Sequence, residues 1–163
     1  MTSAELLEFI GSFYRDKLTL RNRHVAAARY VGDYNVNNTY QYIVNRDDMH
    51  VRWLQDAITD LGGTPEDQAV PDLKPEGKKD AIQRSVITSD RDAVVKFMER
   101  WNEKVEALPN ARHRGVLRVI LGESAEQQRF FDQALAGRDD LLGRRADGAG
   151  TGDGVMHERW VGE

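Results

Sequence analysis

Cysteine is absent from the 163 residues. That excludes disulfides, thiol nucleophiles and every thiolate metal site, and it leaves the redox compartment unmarked. Long apolar runs are missing as well. The longest unbroken aliphatic run is Val25 to Ala28, far short of the roughly 20 residues that a membrane span needs. There is no excess of positive charge: 23 Lys and Arg stand against 27 Asp and Glu, a net charge of -4. A general nucleic-acid binder carries the opposite balance, so neither nucleic acid nor membrane is an expected partner. Met1 to Glu5 lacks a basic region followed by an apolar run, so no secretory signal is expected and the expected location is cytoplasmic. Proline is scarce, and three of the four prolines (Pro65, Pro71, Pro75) fall in one stretch. The remaining chain is free of strong helix breakers over long distances.

What is there is a set of four helical patterns. The first opens with Ser3 as a candidate N-cap and runs through Leu6, Leu7, Ile10, Tyr14, Leu18, Val25 and Ala28 to a turn at Gly32-Asp33-Tyr34-Asn35. The second spans about Asn37 to Leu61, with Tyr40, Ile43, Asp47, His50, Leu54, Ala57 and Leu61 on one face, and stops at Gly62-Gly63-Thr64-Pro65. The third runs from near Lys79 to Leu108-Pro109-Asn110, with Val86, Asp90, Val94, Phe97, Trp101, Val105 and Leu108 inward. The fourth runs from about Ala111 to Ala136, with Val116, Ile120, Glu123, Gln127, Phe130 and Ala134 inward. After Gly137 the periodicity is lost. A glycine-rich linker, Ala146 to Gly154, leads to a short segment, Val155 to Val161. The division is therefore a helical domain over 1–137 and a Gly-rich flexible tail over 138–163.

The connections are short, long, short. Gly62 to Lys78 is extended and poor in apolar residues; at roughly 3.3 Å per residue it reaches about 50 Å. A helix of the length expected here measures about 40 Å at roughly 1.5 Å per residue. The connection can thus run the whole length of a bundle. The fold class is all-α: a four-helix bundle of two helical hairpins joined by one long crossover, the ferritin-like arrangement.

Every inward stripe of the last three helices carries an acid, and the second adds an imidazole. Ionisable groups are costly to bury unpaired, so Asp47, His50, Asp90 and Glu123 need partners. Their spacing suggests a worn internal repeat. Asp47 and Glu123 are 76 residues apart, and Asp90 and Glu123 are 33 apart. Sliding the first half onto the second by 76 lays Tyr14-Arg15-Asp16 on Asp90-Arg91-Asp92, Asp47 on Glu123 and His50 on Glu126.

At these residues the chain resembles the ferritin-like superfamily, in particular rubrerythrin-type four-helix bundles, over about Ala4 to Ala136. Asp47-Asp48-Met49-His50-Val51-Arg52-Trp53-Leu54 with its exit at Leu61-Gly62-Gly63-Thr64-Pro65 is similar to the family's second helix. Ile120-Leu121-Gly122-Glu123-Ser124-Ala125-Glu126 and Val86-Ile87-Thr88-Ser89-Asp90-Arg91 are similar to parts of its fourth and third. The resemblance implies two iron or manganese ions in the bundle core, held by one Glu on the first helix of each hairpin and Glu-x-x-His on the second. It implies oxygen or peroxide redox of ferroxidase or peroxidase type. The metal ligands carried over are Asp47, His50, Asp90 and Glu123, with Glu126 and Asp16 further out. Only His50 and Glu123 match the pattern residue for residue. Asp replaces Glu at Asp47 and Asp90, Glu126 stands at the second histidine position, and Tyr14 stands at the first-helix Glu with Asp16 as the nearest carboxylate. With no cysteine, no rubredoxin-type iron centre exists in the chain, so a separate electron donor is an expected partner. A homodimer is also expected.

The residues admit a second reading of another class, a metal-free bundle acting as a structural or protein-interaction module. On that reading Lys17, Arg21 or Arg23 turns inward and neutralises the acids by ion pairs. Asp90 would instead be the N-cap of a helix starting at Arg91, and Tyr14 an aromatic core residue whose hydroxyl bonds a neighbouring carboxylate.

Overall fold

In the computed structural model, which describes residues 1–138 and 140–142, the chain is four α-helices and no strand among those residues. They are α1 (Ser3–Ala28), α2 (Tyr34–Asp60), α3 (Lys79–Glu106) and α4 (Ala111–Leu135). Of the tail expected over 138–163, residue 139 and residues 143–163, with the linker and the terminal segment, lie outside the described residues, while Leu141 is buried against the core.

Local chemistry sets most of the ends. Thr2, not Ser3, caps α1: its hydroxyl accepts from the Glu5 N–H while the Glu5 carboxylate accepts from the Thr2 N–H, a reciprocal capping box. Asp33 caps α2 through the Val36 N–H, so that helix starts at Tyr34, three residues before the position expected from periodicity. Asn110 caps α4 through the His113 N–H. At the end of α2, Gly62 takes a left-handed φ of 84°, and the N–H groups of Gly63 and Gly62 return to the carbonyls of Ile58 and Thr59. Gly137 ends α4 in the same way, with φ of 86° and the N–H groups of Arg138 and Gly137 on Gln133 and Ala134. Asp90 is no cap; it lies inside α3, which begins eleven residues earlier at Lys79. Gly122 does not break α4, which is continuous through it.

The helices pack in a ring in which α1 touches α2 and α3, and α4 touches α3 and α2. The stretch from Gly62 to Lys78 runs along α1 from its first half to its end. Tyr14 donates to the Glu66 carbonyl at 2.7 Å, Asn22 to that of Gln68 at 3.1 Å and Tyr30 to that of Leu73 at 2.5 Å. The long crossover read from the sequence is therefore observed, and Tyr14 bonds this strap, not a carboxylate. Phe13 anchors the core between Phe97 and Trp101, both with ring centroids 5.1 Å away, and Phe9 adds an edge contact to Trp101. The inward face of α3 is the one its spacing predicts, from Val86 to Val105. The face of α4 keeps Ile120, Gln127 and Phe130 of the predicted stripe and widens to Leu117, Leu121, Ser124 and Phe131, all buried, while Val116 is exposed and Glu123 lies on the flank.

Candidate functional site: a buried polar network

The polar residues of the four inward faces meet at mid-bundle. From α1 come Lys17 and His24, two turns apart on one side of the helix. From α2 come Asp47 and His50, with Arg46 beside them; α3 supplies Asp90, and α4 supplies Glu123 and Gln127. Lys17, His24, Asp47 and His50 are all fully buried.

Asp47 is the hub. Its Oδ1 accepts from Lys17 Nζ at 2.6 Å and from Gln127 Nε2 at 2.8 Å, and its Oδ2 lies 2.6 Å from His24 Nδ1. Burial alone would raise the Asp47 carboxyl, but the charges and hydrogen bonds of Lys17 and His24 outweigh it and hold the group well below the usual carboxylate range. An ionised Asp47 only accepts, so His24 Nδ1 carries the proton. Lys17 Nζ also lies 5.9 Å from the Phe97 ring centre.

Two further pairs flank the hub. His50 Nε2 bonds Glu123, and Arg46 Nε donates to the other oxygen of that carboxylate at 2.7 Å. Burial would raise Glu123, yet the bonds from His50 and Arg46 pull it down. Burial lowers His50, helped by the charge of Lys17 and opposed by Glu123 and Asp47, so its ring is held towards the neutral form. On the opposite side Tyr40 donates to Asp90 at 2.7 Å, and Arg23 Nε stands 3.7 Å from the same carboxylate. Burial raises Asp90, and burial together with that carboxylate raises the Tyr40 phenol.

The structure therefore brings Asp47 beside the His50–Glu123 pair, with His50 Nδ1 3.9 Å from Asp47 Oδ1 and no hydrogen bond between them, and places Asp90 next door on Tyr40. Asp16 and Glu126 stand apart. Asp16 accepts from Trp101 Nε1 at 2.8 Å and pairs with Arg100 at 2.9 Å, whereas Glu126 pairs on the surface with Arg129. The acids are spent on protein donors, and among the described residues no three His, Asp or Glu side chains group as metal ligands. The ammonium of Lys17 already supplies the positive charge that a buried carboxylate requires. Three atoms around the hub, His24 Nε2, His50 Nδ1 and Gln127 Oε1, are buried without a partner. A cavity of about 20 Å³ beside Arg46, Glu123 and Gln127 is the size of a single water.

Against models of protein families and against curated proteins, this chain matches none. The reading of the site consequently rests on its own geometry. Two members escape sequence reasoning in their roles. Arg46, four residues before His50, shares its face and was readable as a partner for Glu123. His24 sits seven residues after Lys17, and that two-turn spacing places both on one side of α1 without saying that the side faces inward. Arg21 turns outward to Asp48 at 2.8 Å, and Arg23 donates to Ser89 and, among the acids, approaches Asp90 at 3.7 Å. No described helix is long and apolar enough to cross a membrane.

Proposed function

We propose that this chain is a protein-interaction module, a four-helix bundle whose buried ionisable residues hold the helices in register instead of holding a metal. The observation that carries this reading is Lys17, fully buried with its ammonium 2.6 Å from Asp47. A flexible amine is withdrawn from water only where a partner offsets its desolvation, and here one carboxylate gathers donors from α1 and α4 onto α2. Such a network specifies which helix faces meet. It offers a substrate little: His24, Asp47 and His50 are closed to solvent, and the Arg46–Glu123 pair, each side chain 28% exposed, forms the edge that reaches it.

The competing reading places iron or manganese in the bundle core for oxygen or peroxide redox, with a separate electron donor. A metal would have to displace Lys17 from Asp47 and Arg46 from Glu123. One observation favours it: His24 Nε2 and His50 Nδ1 are buried imidazole nitrogens without partners, and such nitrogens are metal ligands. Protein supplied with iron(II) or manganese(II) under anaerobic conditions, desalted and assayed for metal content separates the two. The module reading expects substoichiometric metal and a thermal unfolding midpoint that chelation leaves unchanged. A stoichiometric metal whose removal lowers that midpoint would overturn it.

A further inference from the structure

Between the strap, α1 and α3 lies an open cleft of about 270 Å³, close to the size of small-molecule pockets. α1 gives it Arg23, α3 gives Ser85, Ser89 and Asp90, and the strap closes it with Leu73 and Lys74. Tyr30 pins that wall by donating to the Leu73 carbonyl at 2.5 Å. The floor carries polar groups that the protein leaves unanswered. Arg23 spends Nη2 on Ser89, donating to its carbonyl at 3.3 Å and to its hydroxyl at 2.5 Å. Its Nε is buried and without a hydrogen-bond partner. The acid beside it, Asp90, keeps Oδ1 3.7 Å away, too far for a hydrogen bond, while Asp90 Oδ2 is taken by Tyr40. A buried guanidinium N–H with no acceptor is costly, so an acceptor in the cleft is the missing element.

We infer that this cleft binds a small organic carboxylate, with its oxygens on Arg23 and its carbon body against Ala27, Leu73 and Val86. Donors predominate in it. Beside the free Nε of Arg23, the Ser89 hydroxyl accepts from Arg23 and keeps its own proton to donate. Ser85 is exposed one helical turn before Ser89 on the same side of α3. Lys74 stands at the rim. Its pairing with Asp72 is 3.9 Å long between side chains 84% and 79% exposed, and such a pair holds a lysine weakly. A neutral hydroxyl would satisfy Nε alone. Two cations, Arg23 and Lys74, line the cleft against one acid, and charge-assisted bonds to an anion are the stronger ones. Burial raises the Asp90 carboxyl against the pull of His24, Tyr40 and Arg23, and a carboxyl held towards its neutral form repels an anion less. Inorganic phosphate would leave the apolar walls of Ala27, Leu73 and Val86 uncovered; an acid with a short carbon body covers them.

The test uses the full chain with a chelator present, so that no core metal can hold the anion. The probe is 4-fluorobenzoate, followed by fluorine NMR at neutral pH, with 4-fluorobenzyl alcohol as its neutral counterpart. Saturable binding of the benzoate below about 5 mM is expected, with the alcohol about tenfold weaker or more. Arg23→Gln should weaken the benzoate about tenfold or more, the worth of a hydrogen bond to a charged group. Ser85→Leu, at an exposed position, should fill the cleft and abolish binding with helical circular dichroism unchanged, and it decides the matter if Arg23→Gln fails to fold. Arg112→Gln, at the separate pocket beside Trp53, should leave binding as it was. The absence of saturable binding, which would leave the cleft to water, overturns the inference. So does equal binding of the alcohol, a folded Arg23→Gln that binds as well as the parent, binding that survives Ser85→Leu, or binding lost in Arg112→Gln.

Discussion

Replacing Lys17 by Met is the perturbation that bears most directly on the network. The two side chains have similar length and shape, so packing against Phe97 is kept while the charge is lost. Lys17 and Asp47 are both fully buried, and solvent cannot take over the vacated bond. Removing one partner of a buried ion pair typically costs about 3 to 5 kcal/mol, because the remaining charge is left uncompensated. Here His24 and Gln127 still bond Asp47, at 2.6 and 2.8 Å, which puts the expected loss near the lower bound, about 3 kcal/mol. In a domain of this size that corresponds to a fall of about 6 to 12 °C in the thermal midpoint. Chemical denaturation with a constant m-value measures it. The second arm is Lys17→Met combined with Asp47→Asn, which removes both charges and retains an amide for Gln127. The double variant should be more stable than Lys17→Met alone. A loss below about 1 kcal/mol for Lys17→Met, the range of an exposed pair, would refute the claim that this ammonium neutralises the core.

Two other outcomes follow from the same geometry. Tyr40→Phe deprives Asp90 of its buried hydroxyl donor and should lower stability by about 1 to 3 kcal/mol in denaturant titration at neutral pH; the loss should shrink in acid, because burial already raises Asp90 and protonation relieves it. Acid should destabilise the fold in two stages. His50 is held down by burial, so the unfolded chain binds a proton that the folded one resists, and stability falls as pH drops from about 6.5 towards the folded value. Asp47 is held down by Lys17 and His24, so its contribution is full above about pH 4 and is lost as pH falls further. Unfolding free energy measured from pH 8 to 3 checks both, and His50→Gln should remove the first stage while weakening the part of the second that Glu123 adds.

The architecture was legible because its signals are local. Periodicity located four helices, Gly62-Gly63 and Pro65 marked the break, and the length of Gly62 to Lys78 fixed a crossover long enough to span the bundle. The buried face of α3 was readable residue by residue, since Val86, Val94, Phe97 and Trp101 leave only one solution. In α4 the signal was ambiguous. Apolar residues at Val116, Leu117, Val119, Ile120 and Leu121 permit two neighbouring faces, and packing buries Leu117, Ile120, Leu121, Phe130 and Phe131 while leaving Val116 and Val119 exposed. The acids at Asp47, Asp90 and Glu123 announced that partners must exist. Their identity was not local. Lys17 is 30 positions from Asp47 and Gln127 is 80 away, and nothing in the periodicity of α1 separates an inward lysine from one that lies along the surface.

The strap between Gly62 and Lys78 is held in an asymmetric way. Tyr14 and Asn22 of α1, and Tyr30 just beyond its end, supply the donors, and the strap answers with backbone carbonyls at Glu66, Gln68 and Leu73. A carbonyl is present whatever the side chain. The path of the strap is thus encoded largely in the segment it crosses; of its own side chains at those positions, Gln68 adds bonds to Thr19 and to the Arg15 carbonyl, and Leu73 packs against the core. Randomising Glu66 or Asp67 should leave the path intact, whereas altering Tyr14, Asn22 and Tyr30 together should release a segment that carries none of the mutations.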